Sequence, residues 1–396
     1  MSKHVQLLAE QQIDDFARRL STFDYVNIQL EHGTLGVRSK DILRRFRKLV
    51  AAAPQLSVTF HTVLHNAPIS WDAIIGNVFT GRWTKASNIY KSQKRANLLA
   101  KPIYACLNKM GRLKSVHVIT HSKREMRVLK FVYGLQNVHA HPLAYLNVKS
   151  ALDIRASTNR ESFPSLLSLP ADVKLIGTFG FLSPYKGFET VIKALRYLPD
   201  DHHMLIFGGM HPQSIKKGSS IDPYLRTLLD QGNIGRTTLD DVADLKSPKV
   251  SLSLDLGTNT NLMMEHPNDL SNRIHFMGVL CDNDFARAMS VCDNVVVPYL
   301  EVGQSASGPI SMALDMGCRV IASRTTTFLQ LSRFHPNAIE FFDVGNFIEL
   351  AQRISAPPAH DAAQRVLQYN TETNAAIYRR ANGDKSRRHQ PAGAGV

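Results

Sequence analysis

Apolar runs of strand length alternate along this chain with segments whose apolar residues recur every three or four positions. That alternation predicts a parallel α/β architecture. In the first part, "YVNIQL" (25–30), "LSVTFHT" (56–62) and "SVHVITHS" (115–122) read as strands, each followed by a polar or small-residue turn. An amphipathic helix precedes them, residues 40–52 and 84–113 carry helical periodicity, and "HSKREMRVLKFVYG" reads as a helix stopping at Gly134. "NVHAHP" (137–142) adds a short strand, and the Ser/Pro-rich "RASTNRESFPSLLSLPAD" (155–172) marks a boundary. A second series follows. "VKLIGTFG" (173–180), "HHMLIFGG" (202–209), "KVSLSLDLG" (249–257), a strand within "RIHFMGVL", "NVVVPYL", "CRVIAS" and "AIEFFDVGN" read as strands. "GFETVIKALRYL" (187–198) and "NDFARAMSVCD" (283–293) read as helices, the section 210–248 as helix and loop, and the polar, Gly/Pro-rich stretch from about 378 as a disordered tail.

Length and composition narrow the class. The chain's 396 residues suffice for two domains with ordinary cores. No apolar run reaches the ~18 residues of a membrane-spanning helix, and the opening residues are too polar for a signal peptide. Cys106, Cys281, Cys292 and Cys318 stand far apart without a CxxC pair, which suits a reducing compartment and gives no zinc motif. A cytoplasmic location is expected.

Charge is distributed unevenly. Residues 1–150 hold 23 Lys+Arg against 8 Asp+Glu, whereas the remainder holds 24 against 25. The excess gathers at 38–48, 82–101 and 121–130, a pattern that suits anionic lipid headgroups, another polyanion or a merely solvated surface; on the first of these, peripheral attachment to the inner membrane face is expected. Nucleic acid is not an expected partner, since no reader motif or interleaved aromatic pattern accompanies the charge.

Small residues gather where strands end. In a doubly wound sheet that is where ligands bind. Gly180 to Lys186, Gly208 and Gly209, Gly278, and the run from Glu301 through Gly303, Ser305, Ala306, Ser307 and Gly308 all follow strand patterns. Small residues let backbone amides approach a ligand, and a helix N-terminus attracts anions.

"GTFGFLSPYKGFETVIKAL" and "IHFMGVLCDNDFARAMSVCDNVVVPYLEVGQSASGPISMAL" resemble the donor-binding half of GT-B glycosyltransferases, in particular glycosyltransferase family 4. The resemblance covers roughly residues 24–355 and is closest over 173–330. It implies two facing Rossmann-like domains, with 1–160 on the acceptor side, 161–357 on the nucleotide-sugar side, and 358–396 as a C-terminal helix and tail. Carried over residue by residue, Lys186 grips the diphosphate, and Gly180, Gly209, Ser305, Ser307 and Gly308 lie along the donor. Gly278 and Val279 pack on the base, and Glu301 and Gly303 meet the sugar. In "SVTFHTVLHNAP", His61 stands where the family carries an active-site histidine; His65, His121 and His141 are weaker candidates.

The resemblance implies retention at the anomeric carbon without a metal or other cofactor. It also implies a glycan or polyprenyl-diphosphate-linked acceptor in surface polysaccharide assembly. Three departures stand out. Phe181 replaces an expected arginine, and Met312 the expected ribose-binding glutamate, with Asp315 the nearest acid on another helical face. Two or three of the family's opening strands are also missing, which implies either an abbreviated N-terminal domain or a chain that begins late relative to a longer ancestor. These departures motivate the alternative of a non-catalytic nucleotide-sugar-binding protein or partner subunit.

Overall fold

The computed structural model describes residues 10–66, 68–210, 222–232, 270–301, 306–358 and 368–381. The strand expected at 249–257, and much of the section before it, lies outside the described residues. So does the chain beyond Ala381.

Two compact units emerge. Of the described residues, those up to Leu143, Ala306 and 372–381 form the first; the others form the second. The Ser/Pro-rich stretch 155–172, read above as a boundary, belongs to the second unit, where Phe163 and Leu166 join a buried core. Helix α7 (Val148–Ala156) precedes it in the same unit.

The first unit is built on a four-stranded sheet of order β1-β2-β3-β4: β1 (Tyr25–Leu30), β2 (Gln55–Phe60), β3 (Val116–Thr120) and β4 (Val138–Ala140). All neighbours are parallel. Residues 10–20, ahead of β1, form helix α1 (Glu10–Leu20), and α2 (His32–Leu35) follows β1. In α3 (Ser39–Ala52), Ile42, Phe46 and Val50 recur at helical spacing and are fully buried. They pack with Val26, Leu30, Leu56, Val58, Phe60, Val116 and Val118 from one sheet face.

The other face is polar. Asn27 donates to Ser57 Oγ at 2.5 Å, Thr59 Oγ1 meets Tyr378 Oη at 2.9 Å, and His117 Nδ1 meets His139 Nε2 at 3.1 Å. Tyr378 comes from α14 (Thr371–Ala381), so the start of the segment expected to be disordered is helical.

In the second unit the order is β10-β9-β8-β5-β6-β7, again parallel throughout. These are β5 (Lys174–Phe179), β6 (His202–Phe207), β7 (Ile274–Gly278), β8 (Asn294–Val297), β9 (Val320–Ser323) and β10 (Glu340–Phe342). Alternate residues of these strands feed two apolar cores. Leu175, Leu205, Val295 and Val320 face one side with α10 (Asp282–Ser290), α11 (Gly308–Asp315) and α12 (Thr326–Ser332). Ile176, Met204, Val296 and Ile321 face the other, with α8 (Phe188–Leu195), α9 (Pro223–Gly232) and α13 (Phe347–Ser355). A sheet covered on both faces needs apolar residues at every strand position, which is why "HHMLIF" is buried throughout.

The chain runs outward from β5 through β6 to β7, then returns to β5's other side as β8. The direction reverses between β5 and β8, the position where doubly wound sheets bind ligands, and there the loops after the two strands meet, Leu300 N–H donating to Tyr185 O at 2.8 Å.

Candidate functional site

Lys186 sits at that reversal. The chain leaves β5 through Gly180, makes a 3₁₀ turn at Pro184–Lys186, and enters α8 through Gly187 in the left-handed conformation. The turn folds the lysine inward until it is only 6% exposed. Its Nζ donates to the Tyr299 hydroxyl, lies 3.9 Å from the centre of the Tyr299 ring and 5.0 Å from that of Tyr185. No carboxylate pairs with it among the described residues. Burial alone lowers its pKa to about 7. A buried ammonium between two aromatic rings, without a counter-charge, is poised to receive an anion.

Tyr299 ties this lysine to the next element. It follows Pro298 at the end of β8, and Ser307 Oγ donates to its hydroxyl at 3.2 Å. Ser307 is the N-cap residue of α11, yet its side chain makes no capping bond there. At the start of α11 the Gly308 and Ile310 amides, with Pro309 between them contributing none, therefore lack a side-chain cap, which suits an anion as their partner. A Cβ on Gly308 would come within 3.2 Å of the Tyr145 hydroxyl. Sequence reasoning overlooked Tyr299; its one signal was an aromatic after the strand-ending proline.

Glycines draw the strand ends together. Gly180 N–H donates to Phe207 O (2.9 Å), Leu182 N–H to Gly209 O (2.9 Å), and Gly208 N–H to Gly278 O (2.8 Å). A Cβ on Gly208 would stand 1.9 Å from Gly180 O, so only glycine permits this approach. Gly209 lies against Val279, which is exposed beside Gly278 at the end of β7.

Glu301 lies at the exposed end of the β8 loop, where its Oε2 accepts from Thr326 N–H at 2.7 Å. The acid thus braces the start of α12. Gly180, Lys186, Gly209, Gly278, Val279, Glu301, Ser307 and Gly308 all lie at the carboxyl edge of one sheet. Gly303 and Ser305 lie outside the described residues. Asp315 is elsewhere: at the far end of α11 it accepts from Tyr145 N–H (2.6 Å) and Leu146 N–H (3.1 Å). Burial raises it to about 6.

In the first unit, His61 follows β2 and its Nε2 bonds Gln29 Oε1 at 2.9 Å. Its ring centre is 5.2 Å from that of buried His121. His121 Nδ1 bonds His141 O at 3.1 Å, and its buried Nε2 has no partner. His141 is held by Pro142 O and by Thr373 of α14. Burial lowers the pKa of His61 and of exposed-edge His65, and lowers His121 to about 4, so this cluster is neutral at physiological pH.

No protein-family model matches the chain, and no curated protein does. Its backbone does match solved structures. HepE of Anabaena, solved with UDP-glucose, aligns at TM-score 0.54 and 17% identity over 95% of this chain and 84% of its own. A glycosyltransferase from Rickettsia africae aligns at TM-score 0.55 and 15% identity, covering 96% and 83%. Sucrose-phosphate synthase of Thermosynechococcus elongatus aligns at 0.50 and 18%, covering 89% and 82%. The fold is GT-B. The Lys186–Tyr299–Ser307 chain lies where the second unit's strand order reverses, between β5 and β8.

Proposed function

We propose that this GT-B chain is a glycosyltransferase that moves a sugar from a nucleotide-sugar donor to a glycan or lipid-linked glycan acceptor. The observation that carries the reading is the buried, uncompensated Lys186 at the strand-order reversal, beside the uncapped start of α11. The likeness to HepE solved with UDP-glucose supports a nucleotide-sugar as the anion it receives.

In this reading Lys186 and the α11 amides neutralise the diphosphate as the anomeric C–O bond breaks. The acceptor oxygen bonds the anomeric carbon on the face the diphosphate leaves, and the acceptor's proton passes to the departing phosphate oxygen. Configuration is retained. The lysine supplies the charge that a metal supplies elsewhere, so the reaction proceeds without one. Glu301 and neutral His61 orient the sugar and acceptor. The acceptor belongs to surface polysaccharide assembly at the cytoplasmic face of the membrane.

Lys186→Ala should weaken nucleotide-sugar binding by roughly 1.5–3 kcal/mol while leaving the fold intact. Equal titration heats for wild type and variant would remove Lys186 from the site. Because the free lysine titrates near pH 7, binding a diphosphate must draw a proton as pH rises. Affinity should therefore fall above pH 7, by up to about ten-fold per unit, and a flat profile would contradict the assignment.

Glu301→Gln should reduce turnover more than affinity for the bare nucleoside diphosphate, as should His61→Ala. Equal losses in both would place Glu301 on the nucleotide instead. Release of nucleoside diphosphate on adding acceptor separates an enzyme from a binding subunit.

A further inference from the structure

The first unit carries a helical hairpin whose apolar side points the wrong way for a soluble protein. Helix α4 (Trp71–Phe79) packs on the start of α5 (Trp83–Gly111) through Ile74, while Gln93 of α5 bonds Ser70 and Tyr90 contacts Trp71. Trp71, Ile75 and Phe79 recur every fourth residue along α4 and are 56%, 48% and 87% exposed, Trp71 lying beside Tyr90 of α5. Trp83 continues them at 66%, and Leu98 stands about four turns further along α5 at 52%. Apart from Ala86, burial in α5 begins only at Leu99, so its first four turns project beyond the core.

The charge around this stripe is of one sign. From residue 73 to 124 the sequence contains 11 Lys and Arg and no Asp or Glu. Lys91, Lys94, Arg95 and Lys101 fall on the exposed side of α5, and no ion pair engages them among the described residues. The basic cluster at 38–48, which the sequence offered as a lipid-binding patch, is different. Arg45 is buried against Glu10 and Leu35 O, Arg44 pairs with Glu10 and Asp41, and Lys48 pairs with Asp14. Those charges are committed to holding α1 on α3.

Exposed tryptophans and aliphatics beside unpaired basic side chains match a surface that is apolar at depth and anionic at its rim. We propose that α4 and the first half of α5 embed in the surface of an anionic bilayer, placing the first unit at the membrane. The proposal bears on the acceptor side of the function above and leaves the donor site untouched, so vesicle binding and nucleotide binding fail separately.

Trp71 and Trp83 are the chain's two tryptophans, so its intrinsic fluorescence reports this hairpin alone. Full-length protein mixed at low salt with phosphatidylglycerol/phosphatidylcholine vesicles should show a blue shift, and quenching by lipids brominated on their acyl chains. Pure phosphatidylcholine vesicles should give little of either. Replacing Lys91, Lys94, Arg95 and Lys101 by glutamine should weaken binding about 100-fold or more. Ile75→Ser with Phe79→Ser should keep salt-sensitive adsorption but lose acyl-chain quenching. An unchanged spectrum on anionic vesicles overturns the proposal. An equal shift on polyglutamate, without bromolipid quenching, overturns it too and assigns the surface to an acidic protein.

Discussion

Lys186→Met should make the free protein more stable at pH 6, by about 2–4 kcal/mol, and this gain should vanish by pH 10.5. Among the described residues the native lysine has no counter-charge, and burial lowers it from the usual 10.5 to about 7. Below pH 7 both folded and unfolded chains hold the proton, and the full desolvation cost is present. Between pH 7 and 10.5 the unfolded chain still holds a proton the folded one has released, so wild-type stability rises with pH through that window. Methionine fills similar space without charge, and its chief loss is the bond to the Tyr299 hydroxyl. Urea unfolding of both proteins at pH 6 and pH 10 measures the difference. A variant no more stable than wild type at pH 6 would mean that the lysine is already compensated. The same variant should bind nucleotide sugar poorly, because a strained charge held for a ligand is a site purchased with stability.

Gly187→Ala should cost more than about 3 kcal/mol and remove donor binding along with stability. Gly187 is left-handed, with φ of 65°, and an added Cβ would stand 2.1 Å from the Pro298 carbonyl oxygen. That oxygen belongs to the backbone leading from β8 into Tyr299, so relief of the overlap would move the loops after β5 and β8 apart. Leu300 N–H, which donates to Tyr185 O at 2.8 Å, would be strained by the same movement. Calorimetric melting of the variant gives the cost directly. A melting temperature within a degree or two of wild type would show that the loops accommodate the methyl group.

Much of the second unit was legible because its signals are local. Strands buried on both faces read as continuous apolar runs, and α8 shows Phe188, Val191, Ile192 and Leu195 at helical spacing. Lys186 and the strand-end glycines stood out for the same reason: chain direction alone carries them to one edge. Features fixed by pairing between distant segments were not legible. The partnership of Lys186 with Tyr299 spans 113 residues. The ion pairs that neutralise Arg44 and Lys48 come from α1, and the polar face of the first sheet is matched by Tyr378 near the other end of the chain. Helix α4 escaped notice because "WDAIIGNVF" is apolar on both sides, leaving periodicity little contrast.

The claim that the second unit's strand edge receives the diphosphate of a nucleotide sugar is tested most directly by thermal denaturation of the full chain. A panel of adenosine, guanosine, uridine, cytidine and thymidine diphosphate sugars serves as ligand, with wild type and Lys186→Ala side by side. A donor present at 100 times its dissociation constant should stabilise wild type by about 2.7 kcal/mol, and the variant by far less. If no nucleotide sugar shifts the wild-type transition at millimolar concentration, or if the shift survives intact in Lys186→Ala, the account is contradicted.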